Sequence, residues 1–390
     1  MRELAGLLLL CWACWSPPAH AQSDPRQIAF TLEQQGRTTE AEAAWSALAK
    51  AHPTDAEPFA HLGLLEARQE HYSQAIVHYR KAMALNPAMP GLRLNLGLAL
   101  FKGGQYKLAI QAFTPLLKAQ PADPSETQRL TVLIGMSHYG LGEYAEAVPY
   151  LKQAADRDAQ NPPLLLTLAH SCLLSRQYQC VLDVFHRIVA LNAESAEVDM
   201  LVGEALDEMR DSSGAIKEFR AAVQANPREP NAHFGLGYLL WTQKQYPEAV
   251  QEFQAELVNV PDYTQARLYL ADAYVQMNRM DDARPLLEAL AKSNPAIAMS
   301  RLDLGIVYAE SGRKEDALRE LKAAAALKPG DVNVHWRLGR LYRSLGKPAE
   351  AKSEFDKARS LNKAADDALL NVMSNVPATG KPSTPEQVVK

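Results

Sequence analysis

Cysteine is almost missing: four in 390 residues, at Cys11, Cys14, Cys172 and Cys180. The first two form a C-x-x-C inside a leading segment read below as removable, so no redox motif is expected in the rest of the chain. Also missing are a glycine-rich phosphate loop, a G-x-S-x-G elbow and an H-E-x-x-H helix. The ten histidines are scattered. Those absences argue against an enzyme and give no cofactor or metal expectation. An excess of either charge is lacking too. Lys plus Arg number 41 against 45 Asp plus Glu, a net charge of -4, so no global field draws the chain to nucleic acid or acidic lipid. After residue 21 no apolar run is long enough for a membrane helix. What remains is an ordinary globular composition, 47% hydrophobic and 22% charged, able to bury a large core.

The first 21 residues, MRELAGLLLLCWACWSPPAHA, place Arg2 before an apolar run, then a Pro-Pro break, then Ala19-His20-Ala21. This is the pattern of a secretory signal cut after Ala21. It sets the expectation of an exported protein, periplasmic or secreted, with no transmembrane segment once the signal is removed.

The rest of the chain repeats. Pro53, Pro87 and Pro121 stand 34 residues apart, and so do Pro227, Pro261, Pro295 and Pro329. With units of 34 residues counted from Gln22, position 8 is always small (for example Gly63, Gly97, Gly203, Gly339). Position 20 is alanine in all copies but one, Val181. Position 24 is always large and apolar (Trp45, Tyr79, Phe113, Phe253), and position 7 is always Leu, Ile or Val. Positions 4, 7, 8 and 11 make one stripe of a first helix, and positions 20, 24 and 27 one stripe of a second. Small residues at 8 and 20 let the two helices approach, with the large residue at 24 filling the space between them. Position 15, often glycine (Gly36, Gly104, Gly142, Gly312, Gly346), suits the turn between helices.

This pattern resembles the tetratricopeptide repeat family over residues 22 to 365. The ten units are 22–55, 56–89, 90–123, 128–161, 162–195, 196–229, 230–263, 264–297, 298–331 and 332–365. The resemblance implies an all-α fold, an α-solenoid of helix-turn-helix repeats wound as a right-handed superhelix, with a concave groove lined by first helices. It places positions 2, 5, 9, 12 and 13 on the concave side. Those positions include Leu94, Leu98 and Phe101 in unit three, and Val132, Met136 and Tyr139 in unit four. Unit five adds Leu166, His170 and Leu173, and unit seven Phe234, Tyr238 and Trp241. An apolar stripe with aromatic anchors marks a partner site. Unit six contributes Glu204, Asp207 and Glu208 and unit eight Asp272, expected to select basic flanks. The family's clamp for C-terminal carboxylates needs Lys at position 5 with Asn at position 9, and no unit has that pair.

Three local features stand apart. Four extra residues precede unit four, and SETQ at Ser125 to Gln128 has capping-box spacing, so a first helix longer by about one turn is expected there. In CLLSRQYQC, Cys172 falls on the core position 11 and Cys180 on the usually polar position 19. An intrachain bridge and a buried thiol beside an exposed one both remain open. Arg337, Arg340 and Arg343 read as a solvated face rather than a nucleic-acid grip. Residues 366–390 are expected to form a short capping helix and then a disordered tail.

The function expected is a non-enzymatic scaffold that holds a segment of another protein. The alternatives are a chaperone-like carrier of unfolded or exported clients and an accessory subunit of an envelope enzyme complex.

Overall fold

The computed structural model describes residues 24–119 and 122–374. The stretch expected to be an export signal, Pro121 and the residues from 375 onward lie outside the described residues. Among those described, all the regular structure is α-helix, in two compact units. The first unit, ending at Ser175, holds α1 (Pro25–Gln34), α2 (Thr38–Ala51), α3 (Ala56–Arg68), α4 (Tyr72–Leu85), α5 (Leu92–Lys102), α6 (Tyr106–Lys118), α7 (Pro124–Gly140), α8 (Tyr144–Arg157) and α9 (Pro162–Leu174). The second, from Arg176, holds α10 (Tyr178–Ala190), α11 (Ala196–Glu208), α12 (Ser212–Ala225), α13 (Ala232–Thr242), α14 (Tyr246–Asn259), α15 (Thr264–Gln276), α16 (Met280–Ser293), α17 (Ala298–Glu310), α18 (Lys314–Leu327), α19 (Val332–Ser344) and α20 (Pro348–Ser374).

Odd-numbered helices are first helices and even-numbered ones second helices. Within each unit a helix packs on its chain neighbours. First helices also touch the next first helix, as α3 touches α5 and as α11, α13, α15, α17 and α19 touch in series. The hairpin cores form as the spacing requires. A Cβ built on Gly97 would sit 2.4 Å from the ring of Phe113, and one on Gly339 2.6 Å from that of Phe355. The glycine is there because the ring occupies its side-chain space. Trp45, Tyr79, Phe113 and Phe253 are fully buried in this way, each contributing roughly 1.5–3 kcal/mol by leaving water.

Position 4 departs from the expected apolar stripe. It is buried in several hairpins but polar, and it meets position 23 of the partner helix. His233 Nδ1 lies 2.6 Å from Glu252, Arg301 Nη1 2.6 Å from Glu320, and His335 Nδ1 2.6 Å from Glu354. In the hairpin α11–α12 the same two positions hold Asp199 and Glu218, two acids. Burial, Glu218 and Glu194 push the Asp199 carboxyl up to about 6.

All ten hairpin turns place position 15 in the left-handed region. Five of these residues are glycine, and the others are Glu70, Arg176, Arg210, Lys244 and Asn278, at φ between 59° and 67°. The following N–H reaches back to the carbonyl of position 11, as Gln245 does to Leu240 (2.9 Å) and Arg313 to Tyr308 (2.8 Å), closing the helix end. A side chain in this conformation costs about 1–2 kcal/mol, and glycine adds back roughly 0.5–1 kcal/mol of unfolded-state entropy. Lys244→Gly is therefore expected to stabilise the protein by about 0.5–1 kcal/mol, and Gly312→Ala to destabilise it by a similar amount. Chemical denaturation midpoints moving the other way would contradict the assignment of this turn.

α7 has 17 residues where most first helices have 13, so the four extra residues extend the helix. Its cap differs from the expected one: Asp123, not Ser125, accepts the first-turn N–H, with Pro124 at the first helical position. α20 runs unbroken through Ser374 rather than ending before a separate short helix. Unit ten lacks the proline that stops other second helices. Cys172 is fully buried, Cys180 half-buried, and both are disulfide-bonded, so the reading with two unbridged thiols does not hold. No helix among the described residues is long and apolar enough to cross a membrane.

Candidate partner-binding surface

The twelve residues singled out in the sequence share one property: every one is half-buried, neither core nor free surface. Nine lie in the first unit, on α5, α7 and α9, and three in the second, on α13. In the first unit the rings at position 12 lean on a tyrosine of their own hairpin. Phe101 sits 5.7 Å from Tyr106 and Tyr139 5.7 Å from Tyr144, both edge-on. Tyr139 Oη lies 3.3 Å from His170 Nδ1, joining α7 to α9. Leu94, Leu98 and Phe101 pack on the edge of the core beneath them.

The second unit gathers more. Phe234 and Tyr238 lie on one face of α13 with ring centroids 6.3 Å apart, and Tyr238 is 6.0 Å from Trp241. Two rings not anticipated from the sequence complete the cluster. Tyr263 lies 4.9 Å from Phe234, and Tyr269 lies 5.2 Å from Tyr238 and 5.0 Å from Trp241. All five rings are half-buried. The position of Phe234 is fixed from behind. Glu256 of α14 is fully buried and occupies position 27, where other hairpins carry Leu, Ile or Ala. Its two carboxylate oxygens accept the backbone N–H groups of Asn231 (3.2 Å) and Phe234 (3.1 Å), closing the N-terminus of α13.

Asp272 does not serve as the flank selector it was expected to be. It is buried, and its carboxylate accepts the Trp241 indole N–H at 2.6 Å and the Gln276 amide at 3.1 Å. Burial raises its pKa, and those two hydrogen bonds oppose the rise. Asp303 of α17 is buried as well, and its Oδ2 has no hydrogen bond among the described residues. Burial and the charge of Asp272 push its pKa well up, while Arg337 works against them. Of the three arginines of α19, Arg337 is half-buried and Arg340 exposed, both lining one small cavity of about 150 Å³ with Glu310 and Lys314, whereas Arg343 is exposed and lies over the ring of Phe355.

Between α11 and α13 opens a cleft of about 380 Å³, lined by Met200, Glu204, Asp207, Phe219, Phe234, Tyr238 and Tyr263 among others. Position 6 of this unit, which lines the cleft, is Gly235, where the other nine units carry a side chain. A Cβ there would lie 2.3 Å from the Phe219 ring, which forms the floor. That single glycine in a column of larger residues was the signal in the sequence, as were the tyrosines at 263 and 269. Glu204 is exposed yet surrounded by protein on several sides, and the partial loss of water raises its pKa. A larger cavity of about 820 Å³ lies along α12 and α14, but its lining is mostly polar and its Arg220–Glu248 pair, at 2.9 Å, is already satisfied. The described residues contain no cluster of His, Cys, Asp and Glu able to hold a metal ion.

Comparison with known proteins gives 22% identity over 240 residues to the RNA polymerase-associated protein CTR9 of Caenorhabditis elegans, covering 60% of this chain and 21% of that protein. The BBSome complex member BBS4 of Bos taurus is 23% identical over 202 residues, covering 52% of this chain and 38% of that one. The chain thus spans well under half the length of these relatives. Among solved structures, MamA from Desulfovibrio magneticus RS-1 is 20% identical with a TM-score of 0.41, covering 44% of this chain and 97% of that one. YrrB, described as a TPR protein with an unusual peptide-binding site, is 20% identical with a TM-score of 0.40, covering 48% and 97%. Two profiles described as tetratricopeptide repeat match the sequence, one at residues 66–132, 138–205 and 308–374, the other at 185–264 and 268–332. The helical hairpins, the small-against-large packing at positions 8 and 24 and these matches across most of its length make the chain a member of the tetratricopeptide repeat family.

Proposed function

We propose that this protein is a non-enzymatic scaffold, exported to the periplasm or secretory space, that holds a segment of another protein against the faces of its first helices. Tetratricopeptide repeat proteins generally mediate protein–protein interaction. The observation that carries the reading here is the cluster of Phe234, Tyr238, Trp241, Tyr263 and Tyr269, five large rings left half-buried on one helix layer. Rings of this kind, with one face covered and the other open, supply the anchors of protein interfaces.

The structure also selects the residues to change. Trp241→Ala would strand the buried carboxylate of Asp272 and so confound a binding test with lost stability. Tyr238→Ala and Phe101→Ala leave no such orphan. Together they are expected to lower capture of the natural partner by mild crosslinking and pull-down at least about tenfold, measured well below the melting temperature of the double variant, which falls by the ring packing it loses. Capture equal to wild type would sink the reading. A single recovered partner is the result expected of a scaffold, whereas many unrelated ones would point to a carrier. N-terminal sequencing of the exported chain is expected to begin at Gln22.

A further inference from the structure

The α11–α13 cleft combines three features that together specify a ligand chemistry. Its walls are aromatic: Phe234, Tyr238 and Tyr263 stand around it, with Phe219 below. Its rim is acidic, and neither Glu204 nor Asp207 has an ion-pair partner among the described residues. Of the helices that form it, α12 brings Lys217 and Arg220, which pair with Glu218 and Glu248, and the two that wall it add no basic residue. α11 carries Glu197, Asp199, Glu204, Asp207 and Glu208, and neither α11 nor α13 contains a lysine or arginine. At about 380 Å³ the cleft is at the small end of ligand sites, which run from roughly 300 to 1,000 Å³.

Resting on the partner-segment reading above, we propose that this cleft receives an arginine side chain of the bound segment, with the guanidinium plane against the aromatic walls and its charge between Glu204 and Asp207. A cation over an aromatic face is attracted by the ring quadrupole, more strongly once water is displaced. Arginine fits better than lysine, because its planar, weakly hydrated guanidinium stacks on rings and offers several N–H donors to carboxylates at once. A neutral apolar side chain would fill the volume but leave both carboxylates partly desolvated and unpaired. Gly235 lets the Phe219 ring lie against α13 as the floor on which the guanidinium rests, since a Cβ there would lie 2.3 Å from that ring.

The test uses the full mature chain against a displayed library of random 12-residue peptides. Wild type is expected to enrich sequences with an arginine among apolar residues. The double variant Glu204→Gln, Asp207→Asn is close in shape to wild type on exposed and half-buried positions, and its melting temperature should match. It should keep the apolar preference and lose the arginine. For the best wild-type peptide, replacing that arginine by the neutral isostere citrulline is expected to weaken binding at least about tenfold. Tyr263→Leu, which removes one wall, should weaken the arginine peptide more than the citrulline peptide. Peptides enriched without arginine, or an arginine preference that survives in the double variant, would overturn the cation site and leave the partner-segment reading standing. A wild-type chain that enriches no peptide at all would remove both.

Discussion

Replacing Glu256 by leucine destabilises the second unit by about 2–3 kcal/mol, although leucine is what three other hairpins carry at this position (Leu48, Leu116, Leu290). A consensus argument would forecast the opposite, since Glu256 is fully buried and leucine would gain roughly 1.5–3 kcal/mol from burial. The balance is set by the two backbone N–H groups at the start of α13. Each donates to one oxygen of this carboxylate, and hydrogen bonds to a charged group contribute about 1.5–3 kcal/mol apiece. Leucine removes both. Glu256→Gln keeps an amide oxygen for one N–H and falls between the two, at about 1–2 kcal/mol. Urea denaturation of the three proteins measures this order, and a leucine variant as stable as wild type would show that Glu256 is not holding α13. The change also bears on binding, because Phe234 is one of the two residues whose N–H is held. The leucine variant should lose the partner more than its stability alone accounts for.

Much of this could be read in the sequence wherever a column of the repeat has one physical job. Position 8 is small because the large side chain at position 24, a ring in seven copies and leucine in three, fills its place, and ten copies of that pairing are enough to show it. The turn at position 15 was half visible: the five glycines announced a left-handed residue, whereas Lys244 or Glu70 reveals it only through register, since nothing in a lysine asks for positive φ. Columns failed where one copy departs from the others for its own reason. Glu256 resembles an ordinary surface glutamate until the helix it caps is in place. Asp272 lies in the face assigned to the groove, but its carboxylate turns inward to the Trp241 indole. The two cysteines illustrate the same point, because the average polarity of position 19 gave no hint that Cys180 is half-buried and bonded. The cleft was missed because Gly235, which admits the Phe219 ring as its floor, stands at a position that had no assigned role.

Removing a different buried acid, Asp199, is expected to stabilise the chain and to do so in a pH-dependent way. In hairpins α13–α14, α17–α18 and α19–α20 the pair at positions 4 and 23 is basic against acidic, and in α11–α12 it is Asp199 against Glu218. Asp199 is only 7% exposed, and its carboxyl is raised from 3.8 to about 6 by burial first, then by Glu218 and Glu194, with Lys217 opposing. A carboxyl whose folded pKa exceeds its unfolded value favours folding while it is protonated. Its effect is therefore neutral below about pH 4, where both states hold the proton. Between about pH 4 and 6 the unfolded chain ionises more readily than the folded one, and stability falls. At pH 7 the full penalty is present, about 3 kcal/mol for two pKa units. Asp199→Asn removes it, less roughly 0.3–1 kcal/mol for losing an acid in the first turn of α11. The net gain is about 2 kcal/mol at pH 7, vanishing by pH 3.5. Asp199→Arg goes further, because it can rebuild the arrangement of Arg301 with Glu320 at 2.6 Å and give Glu218 a counter-ion of its own. Denaturation of the three proteins at pH 3.5, 5 and 7 decides the matter. A gain of the same size at every pH would mean that Asp199 acts through its shape and not through its charge.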